Sequence, residues 1–330
     1  MLPQLSPLIV VLGPTGTGKS ALALTLAERF HGEIVNCDSV QVYRRLDLGT
    51  AKVPAFERRA IKHHLIDVLD LHEELSAGAY SRLARATISE IQQNQHVPII
   101  VGGSGFYLRA LLEGLPPVPQ SDSALRRRLI LAVRRKPGIL YRFLRRFNPE
   151  ACTRIHPNDE HKLIRAAEIT ISAARAPHEQ EQASQSRLAG VSTLKIGLNP
   201  SRAELYAALN ARATRMFADG LISETQTLLD SGLSPQLKPF TSLGYKQAVK
   251  VIFQNASREQ AIEECQTMTR RYAKRQLTWF RREPGVAWID GFGTKKWVQD
   301  EALRIAQEFM SQFPTSAGMA TTKITGIKPG

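Results

Sequence analysis

A chain of 330 residues with 43% hydrophobic content can bury one large core or two smaller ones, as a soluble globular protein does. The formal net charge of +14 points to a polyanionic partner, nucleic acid or an anionic membrane surface, yet no run of about 18 apolar residues offers a membrane span. Cys37, Cys152 and Cys265 lie far apart, which excludes a disulfide framework and a cysteine metal cluster and fits a reducing cytoplasm.

Residues 8–12 are a continuous apolar, β-branched-rich run, the pattern of a strand buried on both faces, and they read as strand one rather than a signal peptide. Gly13-Pro14-Thr15-Gly16-Thr17-Gly18-Lys19-Ser20 follows, then a helix over 21–30 with Gly32 as its stop signal. A short strand is expected over 33–37, a loop around Gly49-Thr50-Ala51-Lys52, a further strand over 64–68, and a helix over 76–95 capped by Ser76. Residues 98–101 read as another buried strand, ending in Gly102-Gly103-Ser104-Gly105 before a helix over 106–112. Strands alternating with helices predict a parallel sheet covered on both faces. The ligand crevice of such a sheet lies outside its C-terminal strand ends, so the glycine loop, Asp38-Ser39 and Gly102-Gly103-Ser104 should ring one pocket.

Beyond Pro116-Pro117-Val118-Pro119 the pattern turns to helices without strands, up to about Ala189. Residues 121–190 hold fourteen Lys or Arg and seven Asp or Glu, half of the chain's net charge, and read as a basic helical insertion. A strand over 193–198, one or two helices over 201–229 broken at Gly220, a long helix over 257–282 opened by a capping box, and a strand over 286–289 return to the core. The small, polar residues 315–330 read as a disordered tail. The predicted architecture is thus a P-loop NTPase-like α/β core of residues 1–119 and 191–314, with an all-helical insertion over 120–190.

The eight-residue loop fits G-x-x-x-x-G-K-[ST] in the strand–loop–helix context that the motif requires. Its backbone amides would close around phosphate oxygens at a helix N-terminus, Lys19 would reach the terminal phosphate, and Ser20 Oγ would face Mg2+. The bland alternative is a glycine-rich turn. Asp38 could be a general base, could hold Mg2+ through water, or could cap the next turn. The strand over 98–101 ends without the acid that ATP-hydrolysing P-loop enzymes often carry there. Arg270-Arg271, Lys274-Arg275 and Arg281-Arg282 lie in a stretch with no acid from 266 to 282, which favours phosphate contact over a merely solvated face. The interleaved Tyr272, Trp279 and Phe280 read as core. Arg126-Arg127-Arg128 is either solvated or on a nucleic-acid backbone, and His63, His64 and His156 lack a third metal ligand.

The combination of motifs resembles the bacterial tRNA dimethylallyltransferase (IPP transferase) family. The similarity is carried by the phosphate loop, Asp38-Ser39-Val40-Gln41-Val42-Tyr43-Arg44, Gly49-Thr50-Ala51-Lys52 and His63-His64-Leu65-Ile66-Asp67. Val101-Gly102-Gly103-Ser104-Gly105-Phe106-Tyr107, His156-Pro157-Asn158-Asp159, Gly244-Tyr245-Lys246-Gln247 and Tyr272-Ala273-Lys274-Arg275-Gln276-Leu277-Thr278-Trp279 extend it in family order. The resemblance implies transfer of a dimethylallyl group from dimethylallyl diphosphate to N6 of the adenosine 3′ of the anticodon, in tRNAs reading codons that begin with U. It implies Gly13, Pro14, Thr15, Gly16, Thr17, Gly18, Lys19 and Ser20 as the diphosphate site, Asp38 as the base and Ser104 as an aid at the reacting centre. The tRNA would meet Asp38, Ser39, Val40, Gln41, Ser104 and Arg126. It would also meet His161, Lys162, Leu163, Ile164 and Arg165, and Thr241, Ser242, Leu243, Gly244, Tyr245 and Lys246. The family usually carries threonine where this chain has Ser104. The competing readings are an isopentenyltransferase acting on free adenine nucleotides, a P-loop nucleotide kinase and a non-catalytic RNA-binding module. A cytoplasmic monomer is the default expectation.

Overall fold

Six parallel strands form one sheet in the order β3-β2-β4-β1-β5-β6. They are β1 (Ser6–Leu12), β2 (Gly32–Asn36), β3 (His63–His64), β4 (Val97–Gly102), β5 (Val191–Leu198) and β6 (Val286–Ile289). The computed structural model describes residues 5–313 except 59, 117, 120 and 176–185; the tail expected over 315–330 lies outside the described residues. Leu8 to Leu12 of β1 are all buried, as an unbroken apolar run on a central strand requires. β1 pairs with β4 on one side, Val11 beside Val101, and with β5 on the other, Val11 beside Ile196.

Helices cover both faces. On one, α1 (Lys19–Phe30) shares an apolar cluster with Ile9, Ile34, Ile99 and Ile196, joined by a helix over Lys296–Met310 through Val298, Ala302 and Ala306. On the other, α2 (Ala77–Gln93) packs against α3 (Gly105–Leu112), and Tyr80 stacks on Tyr107 with ring centroids 4.5 Å apart. Ser76 caps α2 by accepting the Ala79 amide at 3.1 Å.

The chain divides into two compact units, residues 1–113 with 188–330, and residues 114–187. The second contains α4 (Ser123–Arg135), α5 (Ile139–Phe147), α6 (Pro149–Arg154) and α7 (Glu160–Arg175). Its core is a leucine-rich cluster of Leu125, Leu129, Leu140, Leu144, Leu163 and Ile164. Within it the fully buried Glu168 accepts from Ser121 Oγ and the Asp122 amide, both at 2.7 Å, and faces Arg165 at 2.9 Å and Arg126 at 3.5 Å.

After the insertion, the first unit continues with α8 (Arg202–Ala218), α9 (Leu221–Asp230), α10 (Tyr245–Phe253), α11 (Arg258–Phe280) and α12 (Lys296–Met310). Gly220 breaks α8 from α9 at φ 105°, and Ser257 and Gln260 form the capping box that opens α11.

Three local expectations are corrected. His31, not Gly32, ends α1 in the left-handed region (φ 50°), and Gly32 is already paired with Val97 as the first residue of β2. The strand expected over 64–68 is only His63–His64, because Leu65 and Asp67 take positive φ and the chain bonds instead to the loop after β2, Val68 N–H to Val42 O at 2.8 Å. Of the aromatics on α11, Phe280 is buried, but Trp279 is 38% exposed with the Arg109 guanidinium over its ring. The helices α10 and α12 had no counterpart among the elements expected from the sequence.

Candidate active site

The C-terminal ends of β1, β2 and β4 surround one cavity of about 220 Å³. The phosphate loop closes β1. Gly18 sits at φ 80°, a left-handed position at the threshold of α1 that a side chain would strain. The loop is held by its own bonds: Thr17 Oγ1 donates to Pro14 O at 2.9 Å and Lys19 Nζ to the same carbonyl at 2.8 Å. Lys19 lines the cavity, and burial lowers its ammonium to about 8 in spite of Asp38 nearby, with Arg212 lowering it further.

Asp38 lies just past β2. Its Oδ1 accepts the amides of Val40 at 2.8 Å and Gln41 at 3.3 Å, so it does cap the following turn. Its other oxygen has no hydrogen bond among the described residues, and the side chain lines the cavity. A carboxylate fixed through one oxygen and open through the other suits a proton acceptor. Ser104, beyond β4, accepts the Ser39 amide on its Oγ at 3.1 Å, which ties the ends of β2 and β4 together. The two ends approach so closely that a Cβ on Gly102 would stand 2.0 Å from the Cys37 carbonyl oxygen. Burial pushes the Cys37 thiol up to about 12, which leaves it a neutral packing group.

Ser20 Oγ and the Asp38 carboxylate are hard oxygen donors on one cavity. That set fits Mg2+, which keeps most of its water and takes one or two protein oxygens beside phosphate oxygens. Among the described residues no cluster of three or more His, Cys, Asp or Glu is arranged to hold a metal ion without such help.

Two residues that line the cavity were given no role from the sequence, Arg212 outside every motif and Gln276 inside one. Arg212 of α8 donates to Thr15 Oγ1 at 2.9 Å, and burial lowers its guanidinium from the ordinary value. It stands on the buried stripe of α8 with Leu205, Leu209 and Met216, and a cation on such a stripe is the signal that could have found it. Gln276 of α11 accepts the Thr15 amide and donates to Gly103 O, both at 2.9 Å.

Thr15, Gly16, Gly18, Lys19, Ser20, Asp38 and Gln41 line the cavity, whereas Ser39, Val40 and Ser104 do not; they are bonded beside it, Val40 to Asp38 and Ser39 to Ser104. Thr241 and Lys246 are exposed and Ser242 and Leu243 half-buried. Gly244 is buried. Tyr245 is fully buried and donates to Glu224 while accepting the Gly49 amide, so its side chain pins a loop instead of meeting a ligand. Leu163 and Ile164 likewise point into the helical unit's core, and Arg126 and Arg165 are engaged with Glu168; His161 and Lys162 are exposed. On α11, Arg271, Lys274 and Arg275 are exposed, but Arg270 turns to Asn210 Oδ1 at 2.5 Å and leaves the outward face.

A parallel sheet with a phosphate loop on a central strand and a carboxylate two strands away defines a P-loop-like α/β protein built to act on a phosphorylated ligand. Residues 41–283 match the IPP transferase family. The chain is 48% identical over 306 residues to a tRNA dimethylallyltransferase of Solibacter usitatus (strain Ellin6076), covering 93% of this chain and all of the relative. It is 48% identical over 299 residues to one of Koribacter versatilis (strain Ellin345), covering 90% and 97%. The crystal structure of a full-length tRNA isopentenylpyrophosphate transferase from Bacillus halodurans superposes with a TM-score of 0.67 at 33% identity, over 93% of this chain and 96% of that one. A eukaryotic dimethylallyltransferase acting on tRNA superposes with a TM-score of 0.77 at 26% identity, over 94% and 81%. The chain belongs to the IPP transferase family. No helix among the described residues is long and apolar enough to cross a membrane.

Proposed function

We propose that this protein is a tRNA prenyltransferase that moves the dimethylallyl group of dimethylallyl diphosphate to N6 of the adenosine immediately 3′ of the anticodon, in tRNAs reading codons that begin with U. The observation that carries this reading is the Asp38 carboxylate, half anchored and half open, in one cavity with the phosphate loop, while β4 ends in Gly102 and Gly103 with no acid. A nucleotide-hydrolysing site would want a metal-binding acid on that strand.

An exocyclic adenine amine is a poor nucleophile, because its lone pair is delocalised into the ring. Asp38 accepts its proton as the carbon–nitrogen bond forms. The bond from the allylic carbon to the diphosphate oxygen breaks, and the departing charge meets the loop amides, Lys19 and Arg212. Lys19 and the Thr15 amide exchange Pro14 O and Gln276 Oε1 for phosphate oxygens when the donor binds. Ser104 Oγ, accepting from the Ser39 amide, keeps its own proton free to donate at the reacting centre. Mg2+ held by Ser20 and, through water, Asp38 would supply further charge to the leaving diphosphate.

The target base must leave its stack, at a cost of a few kcal/mol. Phosphate contacts from exposed cations offset that cost: Arg271, Lys274 and Arg275 on α11, and Arg127, Arg128 and Lys162 in the helical unit. A mononucleotide substrate gives these cations no work, which argues against the kinase and free-nucleotide readings. We place the enzyme in the cytoplasm as a monomer. Incubation with labelled dimethylallyl diphosphate and either tRNA or free AMP tests the reading. Label should appear in tRNA; label in AMP alone, or in neither, would reject it.

A further inference from the structure

Polar and apolar side chains line the cavity together, and the strand pattern orders some of them. Ile34 and Asn36 of β2, and Asp38 beyond it, alternate onto one face, and all three line the cavity. Asp38 stands at the mouth. Ile34 lies two residues, about 7 Å of strand rise, below Asn36, and Asp38 follows beyond the strand's end. In the parallel register Ile34 stands beside His63 of β3, so the His63 ring reaches the same depth. On α1, Lys19 and Ala23 are one turn apart and line the opposite wall. A donor whose diphosphate meets Lys19 therefore sends its hydrocarbon tail past Ala23 toward Ile34 and His63.

That deep end is built not to recede. Ile34 belongs to the main apolar cluster, and Val53 packs against the same cluster from the loop above. The His63 ring is anchored by Nδ1 donating to Ile61 O at 2.8 Å, a bond that fixes the tautomer, and burial lowers its pKa. The loop carrying Val53 is pinned by Lys52, whose side chain is 4% exposed and whose ammonium donates to Tyr43 O and Asp67 Oδ1, both at 2.5 Å.

The geometry points to Ile34, Val53 and His63 as a fixed floor that limits the donor to a five-carbon chain; this inference rests on the transfer reading above. A second isoprene unit doubles the tail along the same axis and drives it into side chains backed by the core. Close-packed interiors yield little to such intrusion. A pocket distinguishes a single methylene by roughly 10–200-fold, and five extra carbons are a far larger intrusion.

The test compares geranyl diphosphate with dimethylallyl diphosphate in two readouts: kcat/KM with an anticodon stem-loop RNA, and calorimetric affinity without RNA. Val53→Ala should raise the geranyl-to-dimethylallyl ratio roughly 10–100-fold in both. Ile34→Val should raise it less, and Val53→Phe should weaken dimethylallyl diphosphate while inorganic diphosphate binds as before. Ratios unmoved in both Val53→Ala and Ile34→Val, in protein with native circular dichroism, would overturn the floor. Wild-type protein that binds both donors and transfers neither would defeat the transfer reading, while the affinity ratios would still decide the floor.

Discussion

Thr15 and Gln276, 261 positions apart, are joined by a hydrogen bond of 2.9 Å from the Thr15 amide to Gln276 Oε1. The same side chain donates to Gly103 O, so one buried amide spaces the phosphate loop from the end of β4. Gln276→Glu keeps the acceptor, loses the donor and sets a negative charge beside the diphosphate. It should weaken dimethylallyl diphosphate binding by at least about tenfold, more than Gln276→Ala does. Calorimetric titration of both variants checks the order; equal losses would mean that charge at this position is not felt by the ligand.

Lys19 gives the diphosphate site a pH dependence. Burial lowers its ammonium to about 8 in the free protein, and only the protonated form attracts phosphate. Affinity for inorganic diphosphate should therefore hold below that value and fall as pH rises through it. Comparison with Lys19→Arg, which stays charged, cancels the titration of diphosphate itself. The ratio of the two affinities should change between about pH 7 and pH 10, and a constant ratio would contradict the role given to Lys19. Lys19→Ala should abolish transfer and leave the fold intact.

Arg127 and Arg128 are exposed on α4, whereas Arg126 is committed to the buried Glu168. Replacing Arg127 and Arg128 with Gln should flatten the dependence of tRNA affinity on salt, by roughly 0.7–0.9 in the log–log slope for each phosphate that is no longer neutralised. An unchanged slope would assign both to a solvated face. Arg126→Gln should instead lower the stability of the helical unit.

Glu33 predicts a stability effect away from the site. Burial alone would raise its carboxyl, but hydrogen bonds from His64 at 2.5 Å and His96 at 2.6 Å outweigh that and hold it below the usual range. With its folded pKa depressed, the contribution is fully present above the unfolded pKa and is lost as pH falls through the carboxylate range. Glu33→Gln should cost about 1–3 kcal/mol at neutral pH and reduce the acid-side slope of stability. Urea unfolding at several pH values measures both; parallel curves for wild type and variant would refute the coupling.

Most of the sheet was legible because buried parallel strands write themselves as unbroken apolar runs, and β1 and β4 carry little other message. β3 was overread, because the apolar run after His64 serves packing of a loop at positive φ. The phosphate loop, Asp38 and Ser104 announced themselves as polar or glycine residues at strand ends. Arg212 did not, and Gln276 lay in a motif without a role, because each acts from a helix whose partners lie far away in sequence. Tyr245, Leu163 and Ile164 sit in stretches expected to touch tRNA, yet their side chains are core, since a motif marks a segment without saying which way each residue faces.

In the proposed reaction Asp38 takes the proton while the phosphate loop holds the leaving group. Asp38→Asn keeps the size of the side chain, and its amide oxygen can still accept the Val40 and Gln41 amides. The most direct measurement is the single-turnover rate of this variant with tRNA, taken beside the dissociation constants for dimethylallyl diphosphate and tRNA. The rate should be about 10²–10⁴-fold slower, with the donor bound almost as tightly and tRNA weakened modestly at most. An intact single-turnover rate would contradict it, and would leave water or the departing diphosphate as the proton acceptor.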